Sequence, residues 1–212
     1  MSPNRSSSAA PEAERLPRGR HGLSRQEVVA SQRERLFRAM AGVTARKGYA
    51  ATSVADVLRE AGISRETFYQ QFASKEDCVM QAFQAAVEGI AASVAAAAPG
   101  GLEDPFARLE RALGDYLNAL AAEPELARML LVEIYAVGPA ALGRRAEQQR
   151  AIAAAIAGAL GATEVDARFA CEAFVAATAS LVTTRLATGD ADGVRALHDP
   201  LVKLARRLLS RD

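Results

Sequence analysis

Hydrogen-bonding side chains are concentrated in one short stretch near residue 65, and their types suit contact with nucleic acid. Arginine can pair with guanine and glutamine with adenine in the major groove, while hydroxyl groups and lysine bind phosphate. A helix over 65–72 places Phe68 and Phe72 on its inner face, because they lie four residues apart. The outward side chains are then Arg65, Glu66, Thr67, Tyr69, Gln70 and Gln71. This spacing fits a helix that reads DNA, and it also fits a helical corner that serves only for packing.

The residues before and after this helix extend the same surface. Thr52 and Ser53 precede a helix predicted over 54–61, and their hydroxyls and free backbone N–H groups could bind phosphate. Lys75 begins the next helix and could hold the DNA backbone as a point charge. Gly62 separates the two short helices and permits a positive φ, so the second helix can leave at a steep angle. The stretch therefore predicts a helix-turn-helix.

Charge is distributed unevenly along the 212 residues. Residues 1–75 carry a net charge of +6 and the rest of the chain −5, which suggests that one end meets a polyanion. The first 23 residues are rich in Pro, Ser, Gly and Arg without periodicity, and they predict a disordered basic tail. Arg15, Arg18 and Arg20 in this tail could enter a minor groove, or the tail could simply be a solubilising terminus.

Composition favours an all-α fold. Aromatic residues are only 5% of the chain, and its apolar half consists mainly of Ala, Leu and Val. A capping-box pattern at Ser24 begins the first helix, and Gly48 ends it. The pattern beyond residue 101 predicts helices over about 104–122, 125–136, 140–160, 164–188 and 194–209.

Residues that could do covalent or metal chemistry are few and scattered. Cys78 and Cys171 lie far apart in apolar contexts, and His21 and His198 are isolated. Neither a nucleophile–base grouping nor a phosphate-binding glycine loop is present in the sequence. We therefore expect a protein that is not an enzyme, that needs no cofactor or metal, and that is cytoplasmic rather than bound to a membrane.

The run from Gly62 to Glu76 resembles the DNA-binding domain of TetR-type transcriptional regulators. It matches the pattern G-[IV]-S-x-x-T-[FL]-Y-x-x-F-x-[SN]-K-E at every position, and the close resemblance covers residues 28–85. The resemblance implies a helix-turn-helix domain over 24–75 and a helical effector-binding and dimerisation domain over 76–212. It also implies that Thr52 and Ser53 anchor phosphate and that Tyr69 and Lys75 are the most dependable DNA contacts.

The resemblance further implies a homodimer with a ligand pocket in its C-terminal domain. Small residues in the last two predicted helices, 164–188 and 194–209, permit close helix approach, so we expect dimerisation there, an intrachain core being the alternative. Glu133, in a strongly apolar helix, could hold a ligand or pair with Arg128. The candidate pocket residues, each of which could be plain core, are Phe83, Phe106, Tyr116, Met129, Glu133, Tyr135, Phe174 and Thr178.

The implied function is a homodimeric repressor that a small-molecule effector releases from a palindromic double-stranded DNA operator. Ligand binding would move the long helix that begins at Lys75 and change the separation of the two reading helices. The alternative is an effector-independent regulator or activator that acts through a protein partner. A pocket filled by its own side chains would favour that alternative.

Overall fold

Helices make up the regular structure of residues 24–96 and 104–210, which are the residues described by the structure, a computed structural model. No strand occurs in this part of the chain, so the all-α prediction is confirmed. In chain order the helices are α1 Arg25–Lys47, α2 Val54–Ala61, α3 Arg65–Gln71, α4 Lys75–Ala96, α5 Pro105–Ala122, α6 Pro124–Leu131, α7 Ile134–Val137, α8 Pro139–Leu160, α9 Val165–Ala187, α10 Ala191–Arg195 and α11 His198–Leu209.

Local signals determine where the first three helices begin. Ser24 and Ser53 form capping boxes at the starts of α1 and α2, and the Ser64 side chain accepts from a backbone N–H in α3. Gly62 ends α2 with φ 61°, in the left-handed region that glycine enters without a Cβ clash. These caps fix the corner between α2 and α3.

Two groups of buried side chains hold the helices together. The first group joins α1, α2 and α3 to the first half of α4 and to α6, α7 and the start of α8, and it includes Leu36, Met40 and Phe68. The second group joins α5, α9, α10 and α11, and it includes Leu117 and Leu201. Because the start of α4 and the α6–α7 region share one core with α1–α3, the N-terminal helices are not packed independently.

Two of the predicted helices are interrupted in the structure. The prediction of one helix over 125–136 is wrong, because the chain breaks between α6 and α7. The Arg128 carbonyl there accepts from the N–H groups of both Val132 and Glu133, at 2.8 and 3.1 Å. The Leu131 carbonyl accepts instead from the Arg145 guanidinium at 3.3 Å.

The last predicted helix, over 194–209, is also two helices. The first, α10, begins at Ala191, where the Asp190 carboxylate caps it by accepting from the Gly193 N–H at 2.7 Å. The second, α11, begins at His198. Along the described residues, no helix combines the length and apolar character needed to cross a membrane.

Candidate nucleic-acid interface

Buried aromatic rings anchor α3 from below. Phe68 is 0% exposed, and its ring centroid lies 5.3 Å from that of Phe72, which in turn lies 5.7 Å from that of Phe37 on α1. The Arg33 guanidinium lies 5.0 Å from the centroid of the Phe72 ring. The inner face of α3 is therefore fixed, and its rotation about its own axis is set.

The opposite face of α3 presents polar groups to solvent. The Tyr69 side chain is 47% exposed, and its ring packs edge-on against Phe68 at 5.3 Å. The Arg65 guanidinium lies 5.7 Å from the centroid of the Tyr69 ring, and the Gln70 amide donates to Glu66 at 3.3 Å. This face carries the hydrogen-bonding groups that base edges and phosphates require.

Two of the predicted contact residues on α3 have partners within the protein. Gln71 is half-buried, and its amide nitrogen donates to the Gln32 side chain on α1 at 2.9 Å. The half-buried Thr67 has its hydroxyl 2.9 Å from that of Ser64, the cap of α3. Gln71 thus lies against α1, whereas Thr67 lies at the edge of the exposed face.

Thr52 and Ser53 are placed differently although they are adjacent. Thr52 is buried, and its hydroxyl donates to the Gly48 carbonyl at 2.8 Å. Ser53 is exposed at the amino end of α2, where its hydroxyl donates to Asp56 and accepts from the Asp56 N–H. Only Ser53 of this pair presents its side chain at the surface.

Lys75 holds the turn between α1 and α2. Its ammonium group donates to the carbonyls of Tyr49 and Thr52 at 2.9 and 2.8 Å and lies 3.9 Å from the centroid of the Tyr49 ring. Burial lowers the pKa of Lys75, and the nearby Lys47 charge adds to that effect. Two of its three N–H donors are therefore used inside the protein.

A cluster of charges surrounds the start of α2. The Asp56 carboxylate pairs with Lys47 and Arg59 and accepts from Ser53. The hydrogen bond from Lys47, followed by those from Ser53, holds the pKa of Asp56 well below its usual range. This carboxylate is therefore ionised at neutral pH, and it orients two cations around the start of α2.

The predicted pocket residues are distributed over both core groups of the described chain. Phe83 and Met129 are buried in the first core group, and Phe174 is buried in the second. Tyr116 packs against the second group, where burial raises the pKa of its phenol to about 12. Tyr135 is exposed and stacks on Arg145.

The remaining candidates lie at separate places among the helices of the C-terminal part and the break after α6. Phe106 lines a cavity of about 10 Å³ between α5 and α11, room for one water molecule at most. Thr178 is buried, and its hydroxyl has no hydrogen-bond partner in the described part of the chain. Glu133 accepts from the Tyr49 N–H at 3.0 Å and lies 3.6 Å from Arg128, the partner suggested by the sequence.

Several residues important to this arrangement are missed by sequence reasoning. Arg145 is 7% exposed, and its guanidinium donates to the Leu131 carbonyl and the Thr183 hydroxyl. Tyr49 is buried and has hydrogen bonds to both its N–H and its carbonyl. The only local signal for Arg145 is its place in an alanine-rich helix. The predicted minor-groove residues Arg15, Arg18 and Arg20 lie outside the described residues.

Comparison with known families identifies this helix-turn-helix. Residues 36–82, which include α2 and α3, match the family of bacterial regulatory proteins called tetR. This segment of the chain is therefore a DNA-binding domain of the TetR type.

Solved structures extend the likeness to both parts of the chain. FadR from Bacillus halodurans, a fatty acid degradation regulator, is 20% identical with a TM-score of 0.71, over 84% of this chain and 95% of its own. A TetR-like regulator from Rhodococcus sp. RHA1 is 21% identical with a TM-score of 0.64, over 89% and 100%. FadR from Bacillus subtilis, solved with stearoyl-CoA, is 18% identical with a TM-score of 0.64, over 84% and 97%. None of the curated proteins matches the sequence. The TetR-family fold thus spans the chain.

Proposed function

We propose that this TetR-family regulator binds a palindromic operator as a homodimer, with α3 of each subunit in a major groove. The proposal rests on the observation that α3 has one buried face and one exposed polar face. Its inner face is held by the fully buried Phe68, and its outer face presents Arg65, Tyr69 and Gln70. A rigid helix with one free hydrogen-bonding face is what base readout requires.

The proposed contacts divide by chemistry. Arg65 and Gln70 would read base edges, and Tyr69 and Ser53 would bind phosphate, with Thr67 at the edge of the contact. Lys75 would contribute its remaining N–H donor. Glu66 would accept from a cytosine amino group or keep Gln70 oriented through their hydrogen bond. The Thr52 hydroxyl and Gln71 support the fold and are not part of the proposed surface.

The test is recovery of bound DNA fragments by the purified protein from a random pool. We expect enrichment of a palindromic site, and we expect Tyr69→Ala to abolish binding to it. Gln84→Ala, at an exposed position on α4 away from α3, is the matched control and should bind like the wild type. Failure to enrich any sequence at physiological salt would refute operator binding.

We propose that dimerisation uses α8 and α9. Val165 and Phe169 on α9 are 81% and 68% exposed, and Ile152 on α8 is also exposed. A group of exposed apolar side chains is uncommon on a monomer and marks a protein–protein interface. On α11, Leu201 is buried in the core of its own chain whereas Leu208 is 43% exposed, so the contribution of the last helix stays a prediction. Phe169→Glu should therefore give a monomer in analytical ultracentrifugation while its helix content stays unchanged.

We propose the domain boundary near residue 75, with 24–75 as the reading head and 76–212 as the regulatory part. Support comes from the charge difference between the two segments and from the position of Lys75 at the start of α4. The shared core around Val79 and Met129 means that the two parts would move as packed neighbours. Movement of α4 would therefore be transmitted to α3 through side-chain contacts.

Two regulatory behaviours have separate support. The unpartnered Thr178 hydroxyl and the stearoyl-CoA bound to the similar FadR of Bacillus subtilis favour a repressor released by a small molecule. The small size of the cavity beside Phe106 favours the second candidate, a regulator or activator that acts through a protein partner. A compound screen for release of the enriched DNA separates them. Release that Thr178→Val weakens supports the first, and no release by any compound that binds the protein supports the second.

A further inference from the structure

A continuous series of polar contacts joins the proposed reading head to the carboxyl end of α9. Its central residue is Glu133, in the break between α6 and α7. One carboxylate oxygen, Oε2, accepts from the Tyr49 N–H at 3.0 Å, and the other, Oε1, lies 3.6 Å from the Nη2 atom of Arg128. The Glu133 side chain therefore contacts the head with one oxygen and α6 with the other.

Arg128 continues the series to α9. Its Nη1 atom donates to the carbonyl of Ala187 at 2.9 Å and to that of Leu186 at 3.4 Å. These carbonyls are among the last of α9, and that of Leu186 also accepts from the Gly189 N–H at 3.2 Å. The partial negative charge at a helix carboxyl end attracts a guanidinium. Arg128 thus ties Glu133 to the helix that carries the proposed dimer contacts.

At the other end of the series, the backbone of the reading head is held at Tyr49 by two side chains. The Tyr49 N–H is held by Glu133, and its carbonyl is held by the Lys75 ammonium group. Lys75 also holds the Thr52 carbonyl, one residue before the cap of α2. The turn from α1 to α2 is therefore fixed on one side by α4 and on the other by the α6–α7 break.

Partial burial strengthens these contacts. The Glu133 side chain is 14% exposed and that of Arg128 is 33% exposed, so solvent screens their attraction less than it would at an open surface. Loss of one partner would leave a partly buried charge or N–H group without a hydrogen bond. The orientation that keeps all the contacts is thus favoured over neighbouring ones.

We propose that Glu133 and Arg128 are positioning residues that set the angle of the reading head relative to α9, and so determine which half-site spacing the dimer prefers. The inference rests on the proposed dimeric operator binding. Its physical basis is that α9 is the fixed reference across the two-fold axis. A dimer can discriminate one spacing from another only if each α3 is held rigidly to that reference.

The experiment measures the affinity of four proteins for three kinds of DNA. The proteins are the wild type, Glu133→Ala, Arg128→Met and the double variant. The DNAs are the enriched palindrome, the same palindrome with its half-sites moved by one base pair in either direction, and a single half-site. Glu110→Gln is the matched control, because it breaks the Glu110–Arg206 pair within the C-terminal helices without touching the head.

We expect Glu133→Ala to lower affinity for the enriched palindrome about tenfold while half-site affinity stays unchanged, so that the preference for one spacing is largely lost. Arg128→Met should reproduce this loss, because Arg128 ties Glu133 to α9. The double variant should lose no more than either single variant, because both act on one series of contacts. Glu110→Gln should keep the wild-type preference.

A uniform loss for all DNAs, the half-site included, would overturn the inference and assign Glu133 to the folding of the head. An unchanged spacing preference in Arg128→Met would also overturn it. If Glu133→Ala does not fold, Glu133→Gln keeps the acceptor oxygen and removes only the pairing with Arg128, and the same loss of preference is expected.

A second measurement separates failure of this inference from failure of operator binding. Hydrogen exchange of the Tyr49 amide requires no DNA, and it should accelerate in both Glu133→Ala and Arg128→Met. An unchanged exchange rate of the Tyr49 amide in either variant refutes the link from Tyr49 through Glu133 and Arg128 to α9, even if the protein binds DNA. Faster exchange in a protein that enriches no DNA sequence refutes the operator proposal and, with it, the role of the connection in spacing.

Discussion

Phe68 and Tyr69 are neighbours on α3 with opposite surroundings, and substituting each in turn separates DNA contact from folding. Phe68 is completely buried, whereas the Tyr69 ring is half in solvent. The Tyr69 hydroxyl has no hydrogen-bond partner within the described residues. Tyr69→Phe therefore removes one exposed oxygen atom and leaves the ring contacts with Phe68 and Arg65 in place.

The two substitutions should differ in their effects on the free energy of unfolding and on operator affinity. Tyr69→Phe should change the free energy of unfolding by less than about 0.5 kcal/mol, as exposed substitutions do. It should weaken operator binding by roughly 1.5–3 kcal/mol, about 10- to 100-fold, if the hydroxyl donates to a charged phosphate. Phe68→Ala should cost about 3–5 kcal/mol of folding free energy, because it opens a cavity beneath α3.

The assay pairs urea unfolding with fluorescence anisotropy on the enriched palindrome. Both are run at one salt concentration, since phosphate contacts weaken as salt rises. Tyr69→Phe with full affinity would refute the assignment of its hydroxyl to DNA. Equal losses of stability and affinity in Tyr69→Phe would refute the division of α3 into a packed face and a reading face.

Two further substitutions test the turn before α2 and the C-terminal helices. Lys75→Met leaves the Tyr49 and Thr52 carbonyls without their shared donor, so it should lower the free energy of unfolding by roughly 1–3 kcal/mol in urea; wild-type stability would contradict this role. The hydrogen bond to Asp199 raises the pKa of His198, so this contact stabilises the fold fully below the ordinary pKa of 6.5 and is lost as pH rises through the raised value. His198→Gln should therefore reduce the fall in thermal stability between about pH 6 and pH 8, and an unchanged pH profile would exclude the effect.

Local patterns predicted the reading head well. The serine caps, the glycine between α2 and α3 and the spacing of Phe68 and Phe72 all act over four residues or fewer. Interactions over such distances are visible in a sequence window, because the helix geometry itself brings the residues together. The identity of the fold and the inner face of α3 were therefore available from the sequence.

The roles of individual polar residues depended on tertiary contacts. Thr52 and Gln71 have side chains that suit DNA, yet the structure turns one toward Gly48 and the other toward Gln32 on α1. Glu133 was predicted to hold a ligand or to pair with Arg128. It lies 3.6 Å from Arg128, and it also accepts from the Tyr49 N–H, 84 residues away. No local pattern contains such a partner.

The break between α6 and α7 shows most clearly how tertiary contacts can override a local sequence preference. The segment around Glu133 contains neither proline nor glycine, so by itself it favours one continuous helix. The folded chain bonds the Leu131 carbonyl to Arg145 and the Glu133 carboxylate to the head. By itself the sequence determined the helices and the chemistry available on them. Only the tertiary structure decided which polar side chains stay exposed and which hold the molecule together, because distant hydrogen bonds outweigh the modest free-energy preference of a short helix for continuity.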